Sequence, residues 1–264
     1  MTSLGTAAHS VLTTPGAAAK AKKSIAAARQ WHNGNLTPEC TAFPPERPAR
    51  PEKPELLPPG QMPRRRGGKE TKNRIALLHA IAHIELNAID LAWDIIARFG
   101  HGMPRKFLDD WVKVGADEAR HFTLLEGRLS SLGASYGDLP AHDGLWQAAQ
   151  KTSGDILARL AVVPLVLEAR GLDVTPGMIK RLEGFGDFET AAILKTIYQD
   201  EIGHVRAGTR WFITLCEARG LKPEATFQTL VKSHFSGTLK PPFNTLARSK
   251  AGLPETFYTP LSAK

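Results

Sequence analysis

Four stretches of the chain carry apolar residues at helical spacing, and each stripe admits one carboxylate among its apolar members. From Thr71 to Phe99, Leu78, Ile81/Ala82, Ile89, Ala92 and Ile96 recur on one face, with Glu85 inside the stripe and Gly100 as the stop. A second helix is predicted from Pro104, a good first-turn residue, to just before Gly133. Its face is Phe107, Leu108, Trp111, Val114, Glu118, His121/Phe122, Leu125 and Leu129. A third is expected from Asp143 to Arg170, stopped by Gly171, with Pro164 inside it four residues before Glu168. An interior proline frees a carbonyl and kinks the axis, which serves either packing or a local opening beside a site. The fourth, Asp187 to Arg219, carries Ala191, Leu194, Ile197/Tyr198, Glu201, His204/Val205, Gly208 and Phe212.

Shorter helices are expected at Lys20 to Trp31, from Thr175-Pro176 to Gly184, and at Pro223 to His234. Residues 1–19, small and polar, read as disordered. Nine prolines between positions 38 and 63 exclude regular helix and imply an extended strap, laid on the helices through Phe43, Leu56, Leu57 and Met62. Residues 241–261 read as an extended tail, and no strand alternation stands out. The expected fold is all-α: a basic, Pro-rich extension over 1–70, then a four-helix bundle with extra short helices and a C-terminal extension over 71–264.

The acidic and imidazole residues within the stripes are regularly spaced. Glu118 and His121, and Glu201 and His204, are each three apart, so each pair shares a helix face. One Glu-x-x-His is close to chance in a chain with 15 Glu and 9 His. Glu85 precedes Glu118 by 33 residues, however, and Glu168 precedes Glu201 by the same 33. The order Glu, Glu-x-x-His, Glu, Glu-x-x-His is the ligand set of ferritin-like di-iron or di-manganese four-helix bundles. Four carboxylates balance two divalent cations, and carboxylate with imidazole suits iron or manganese. Without metal, four inward carboxylates repel one another and are costly to bury. Glu85, Glu118, His121, Glu168, Glu201 and His204 are therefore the expected metal-holding and catalytic residues.

Around them, Asp117 and Asp200 each lie four residues before a histidine, where a carboxylate can accept from the imidazole and fix the ring. Arg120 can pair with a ligand carboxylate or with solvent acids. Tyr198 can hydrogen-bond near the metal or relay an electron, or serve as an amphipathic core residue. His79 and His83 share a face, and His83 is turned about 200° from Glu85, so helix–helix hydrogen bonds suit them better than ligation. Asp90 and Asp94 are expected either to support the ligands or to face water.

Composition adds limits. Residues 1–72 hold twelve Lys/Arg and five Glu, so +7 of the net +8 belongs to the N-terminal segment. The Arg64-Arg65-Arg66-Gly67-Gly68-Lys69 run reads as a solvated charge run or as an anion contact, nucleic acid included. Cys40 and Cys216 suggest neither a disulfide framework nor a zinc motif, which favours a reducing compartment. No apolar run looks long enough to span a bilayer, and the start lacks a secretory signal. Its acid-free, Ala/Ser/Thr-rich composition is faintly that of a transit peptide, but Lys20 to Trp31 also reads as an ordinary helix. The expectation is a cytoplasmic protein with no membrane partner.

His79-Ala-Ile-Ala-His-Ile-Glu85, Asp117-Glu-Ala-Arg-His-Phe122, Glu168-Ala-Arg-Gly-Leu-Asp173 and Asp200-Glu-Ile-Gly-His-Val205 resemble the ferritin-like family called domain of unknown function 455. Arg47-Pro-Ala-Arg-Pro51 and Pro241-Pro-Phe-Asn244 are similar to it too, so the resemblance runs from about residue 20 to 260. In kind it is akin to di-iron tRNA hydroxylases, and Asp-Glu-Ala-Arg-His resembles a motif of bacterial di-iron monooxygenases. The resemblance implies the fold and two iron ions, with two manganese ions as the alternative, and leaves the substrate open. The expected activity is O₂-dependent oxidation by a hydroxylase or oxidase, the former needing an electron donor. Alternatives are metal handling (iron oxidation or peroxide scavenging, with di-manganese as a subcase) and an RNA-associated, tRNA-modifying hydroxylase docked through residues 20–72.

Overall fold

The computed structural model describes residues 2–63 and 68–262. Arg64 to Gly67, the core of the basic run, lie outside the described residues. Among the described residues the regular structure is helical apart from β1 (Thr2–Ser3) and β2 (Leu36–Thr37), which pair in parallel. The chain divides into two units at Trp146/Gln147.

In the first unit, α1 (Leu4–Leu12) and α2 (Ala17–His32) precede two long helices, α3 (Thr71–Phe99) and α4 (Arg105–Ser131), that pack on each other. α1 replaces the disorder expected for residues 1–19. Ser3 caps it by accepting from Thr6 N, and Leu4, Ala7, Ala8, Val11 and Leu12 form a buried stripe facing α3. α2 lies on α4 through Ala21, Ser24, Ala27, Ala28 and Trp31. Ser24 Oγ donates to Gly115 O (2.6 Å) and accepts from Trp93 Nε1 (2.7 Å), which ties α2, α3 and α4 together.

The strap does lie on this unit, but by polar contacts rather than the expected apolar ones. Phe43 is 91% exposed and Leu56 40% exposed, whereas Pro48 and Pro54 are buried. Ala49 N donates to Leu12 O, Leu57 N donates to Ala141 O, and Ala141 N donates back to Glu55 O in the strap. The strongest tie is ionic. Asp90, fully buried on α3, receives Lys20 Nζ at 2.5 Å and Arg50 Nη2 at 3.0 Å, and Lys20 also donates to Ala49 O. Asp94 pairs with Arg98 at 2.9 Å. Both acids are 0% exposed, so neither faces water, and their partners are these cations.

The division falls within α5 (Gly144–Lys151). In the second unit the expected third helix is broken. Residues 152–155 interrupt it, and Asp155 opens α6 (Ile156–Val162) by accepting from Leu157 N and Ala158 N. Val163–Glu168 then form a π-helical segment containing Pro164, and α7 (Ala169–Gly184) follows without a stop. Gly171 does not end the helix, and Pro176 lies inside α7 rather than starting a new one. α8 (Phe188–Ala218), capped by Asp187, packs against α6, the π segment and α7. α9 (Pro223–His234) follows as expected. The tail is not simply extended: it holds α10 (Thr245–Lys250), α11 (Glu255–Tyr258) and a 3₁₀ turn at Thr259–Leu261.

α8 approaches the π segment closely at Gly208. A Cβ there would lie 2.6 Å from Pro164 Cβ and 2.9 Å from Leu165 Cδ1, so only glycine permits this packing. Among the described residues α3 alone is long and apolar enough to cross a membrane, contrary to the expectation of no such run, and 72% of its most apolar window is buried within the protein.

Candidate metal centre

Glu85 is carried by α3, and Glu118 and His121 by α4. The helical stripes that bury both helices against each other also bury these side chains, which are 4%, 0% and 0% exposed. His121 Nδ1 lies 3.1 Å from Glu85 Oε2 and 3.3 Å from Glu118 Oε2. One potential ligand atom from each of the three lies within 4.8 Å of the others. Burial pushes the Glu85 carboxyl well above the usual carboxylate range, and the neighbouring Glu118 pushes it further, against the pull of His121. Two acids and an imidazole in a dry pocket of this kind form an oxygen- and nitrogen-donor set that a divalent cation would stabilise by replacing the missing solvation.

The second unit repeats the motif locally. Glu201 and His204 on α8 meet through His204 Nδ1 and Glu201 Oε1 at 3.6 Å, with His204 2% exposed. Glu168 is half-buried at the end of the π segment. The wider i→i+5 turn, enforced where Pro164 lacks an N–H, changes the direction in which residue 168 leaves the helix. Such single π turns recur at functional sites.

The residues expected to support the ligands have their own partners. Asp117 pairs with Lys113 and with Arg120 Nη2 (3.1 Å), and the Arg120 side chain is 47% exposed. The Tyr198 hydroxyl accepts from Asn244 Nδ2 at 3.0 Å, which joins α8 to the tail. Asp200 is half-buried on α8.

His79 and His83 contact a loop instead of another helix. His79 Nε2 accepts from Gly137 N at 2.9 Å. His83 Nε2 donates to His142 O (3.1 Å), so its Nδ1 accepts from the Tyr136 hydroxyl (2.8 Å). Burial, helped by Arg50, lowers the His83 pKa to about 4, which keeps this imidazole neutral, and burial raises that of Tyr136. Sequence reasoning missed Tyr136, Lys20 and Arg50. Tyr136 sits in a Gly/Ser-rich loop, and the two cations sit in a segment whose charge suggested solvent or a partner.

The elements and the cluster together define an all-α protein with a buried carboxylate–imidazole group suited to a metal ion. Residues 13–259 match the family described as Protein of unknown function (DUF455), and the chain belongs to that family. An uncharacterized protein of Haemophilus influenzae is 43% identical over 208 residues, covering 76% of this chain and 72% of the relative. No solved structure matches the chain.

Proposed function

We propose that the chain is a ferritin-like di-iron carboxylate protein that oxidises an organic substrate with O₂. In this reading α3, α4, α8 and the helix through the π segment make a four-helix bundle. The residues proposed to hold a pair of metal ions are Glu85, Glu118, His121, Glu168, Glu201 and His204. The observation that carries the proposal is the buried convergence of Glu85, Glu118 and His121, with donor atoms within 4.8 Å. The 33-residue repeat and the 3.6 Å approach of His204 to Glu201 support a matching half. The donors fit, since carboxylate and imidazole together favour iron or manganese over magnesium or calcium.

Bound ferrous ions would supply the electrons for O₂ chemistry, while the protein sets ligation, access and substrate fit. The chain's own contribution is to hold carboxylates in a dry, apolar setting where their charge acts with little screening. The basic extension supports this reading as a brace. Lys20 and Arg50 are taken up by Asp90, and Arg47 pairs with Asp143 at 2.5 Å.

Anaerobic loading with ferrous iron followed by O₂ is the test. Two irons per chain and an optical change on oxygenation are expected. Two bound irons with no change on O₂ overturn the oxidase reading, and continued iron oxidation beyond two equivalents replaces it with metal handling.

A further inference from the structure

The second unit contains a cavity of about 290 Å³, roughly ten water volumes, walled on one side by the π segment and on the other by residues 235–243. Val166 and Leu167, the two residues before Glu168, are part of its wall. Phe235, Leu239 and Phe243 give it apolar surface. Its charged members are Arg170, Lys240 and Arg248 against the single acid Asp173.

That acid is already satisfied. Arg248 Nε and Nη2 reach its two oxygens at 2.9 and 2.7 Å, and Asn244 N donates to Oδ1 at 2.9 Å. The Arg248 guanidinium is held 4.4 Å from the Tyr258 ring centroid and 4.9 Å from that of Phe243. Its side chain is 3% exposed, yet Nη1 is buried with no hydrogen-bond partner among the described residues. Lys240, exposed at the rim, forms no ion pair among the described residues, while Arg170 Nη1 anchors the Lys240 carbonyl at 2.7 Å. Two cationic charges in excess, one of them the exposed Lys240 at the rim, and an aromatic wall are the recognition elements for an anion on an apolar body.

The geometry points to a binding site for a small organic oxyanion, a carboxylate or phosphate monoester carried on an apolar group of about ten non-hydrogen atoms. Its wall at Val166 and Leu167, next in sequence to Glu168, makes this anion the substrate class of the proposed oxidase, a step that rests on the metal reading. Binding itself does not.

The experiment is calorimetric titration of the full chain without added metal, using 4-phenylbutyrate, its neutral amide, phenyl phosphate and inorganic phosphate. At least one organic oxyanion binds, and the amide and inorganic phosphate bind about tenfold more weakly or worse, since each lacks one half of the recognition. A preference between carboxylate and phosphate identifies the headgroup. Lys240→Glu lowers affinity about tenfold by reversing the rim charge. Thr238→Trp, at another exposed lining position, blocks binding while the far-UV spectrum is unchanged. Equal binding of the amide, equal binding of inorganic phosphate, no binding of either organic oxyanion, or indifference to both variants overturns the site. Metal content is measured on the same samples. A cavity that fails in protein that loads two irons sinks this inference alone, and binding in protein that takes up no metal sinks the oxidase reading alone.

Discussion

Replacing Gly208 with alanine tests how the second unit positions Glu168. An alanine Cβ at 208 would sit 2.6 and 2.7 Å from Pro164 Cβ and Cγ and 2.9 Å from Leu165 Cδ1. Ordinary contact needs about 3.5–4.0 Å, so α8 and the π segment must separate by roughly 1 Å. Pro164 cannot rotate out of the way, because its ring fixes both side chain and backbone. Overpacking of this kind costs about 1–3 kcal/mol. Against it stands the helix preference for alanine over glycine, about 1 kcal/mol. Gly203, five residues earlier on the same helix, has nothing within 4 Å of its would-be Cβ and is the control. The helix-preference contribution cancels between Gly203→Ala and Gly208→Ala, which leaves the steric cost. The second variant should therefore melt lower than the first by roughly 2–12 °C, at about 2–4 °C per kcal/mol. Thermal unfolding of metal-free protein measures this, and on the proposed ligand set metal titration would read the displacement of Glu168 as weaker binding. Equal melting temperatures for the two variants would refute the close approach of α8 to Pro164.

Lys20→Met strands the buried Asp90 carboxylate beside Arg50 alone and should cost about 3–5 kcal/mol by denaturant unfolding, while Lys22→Met, at an exposed position, costs little. Ser24→Ala leaves Trp93 Nε1 without its acceptor and should destabilise by about 1–3 kcal/mol, visible also in the tryptophan emission. Burial raises the Cys40 thiol to about 11 and also raises Cys216, so a disulfide reagent near neutral pH should find both thiols only after denaturation. Rapid labelling of the native chain would contradict their burial.

The long helices were legible because their signals agree. α3 begins at Thr71 and ends before Gly100, and α4 follows Pro104, as periodicity and end residues require. The pairing of glutamate with histidine was legible for the same reason: Glu-x-x-His on an apolar stripe fixes the shared face, and His121 and His204 each meet their glutamate. α1 was hidden by composition, since its apolar stripe of Leu4, Ala7/Ala8 and Val11/Leu12 is only nine residues long and sits among Gly, Ser and Thr. Gly171 and Pro176 misled because local preferences of about 1–3 kcal/mol were read as stops. The packing of Leu172, Thr175, Ile179 and Leu182 along one buried face outweighs them. The break before α6 was readable in principle, as Ser153-Gly154-Asp155 is a cap sequence. The Lys20–Asp90 pair was not, because nothing local joins residues seventy positions apart. Nor was the cavity beside the π segment, whose cations come from three separate elements.

The central claim is most directly tested by crystals of iron-loaded protein measured on either side of the iron absorption edge. Two anomalous peaks whose surrounding ligands include Glu85, Glu118, His121, Glu168, Glu201 and His204 are the predicted result. A single peak elsewhere on the chain, or none in protein shown to be folded and iron-saturated, contradicts it.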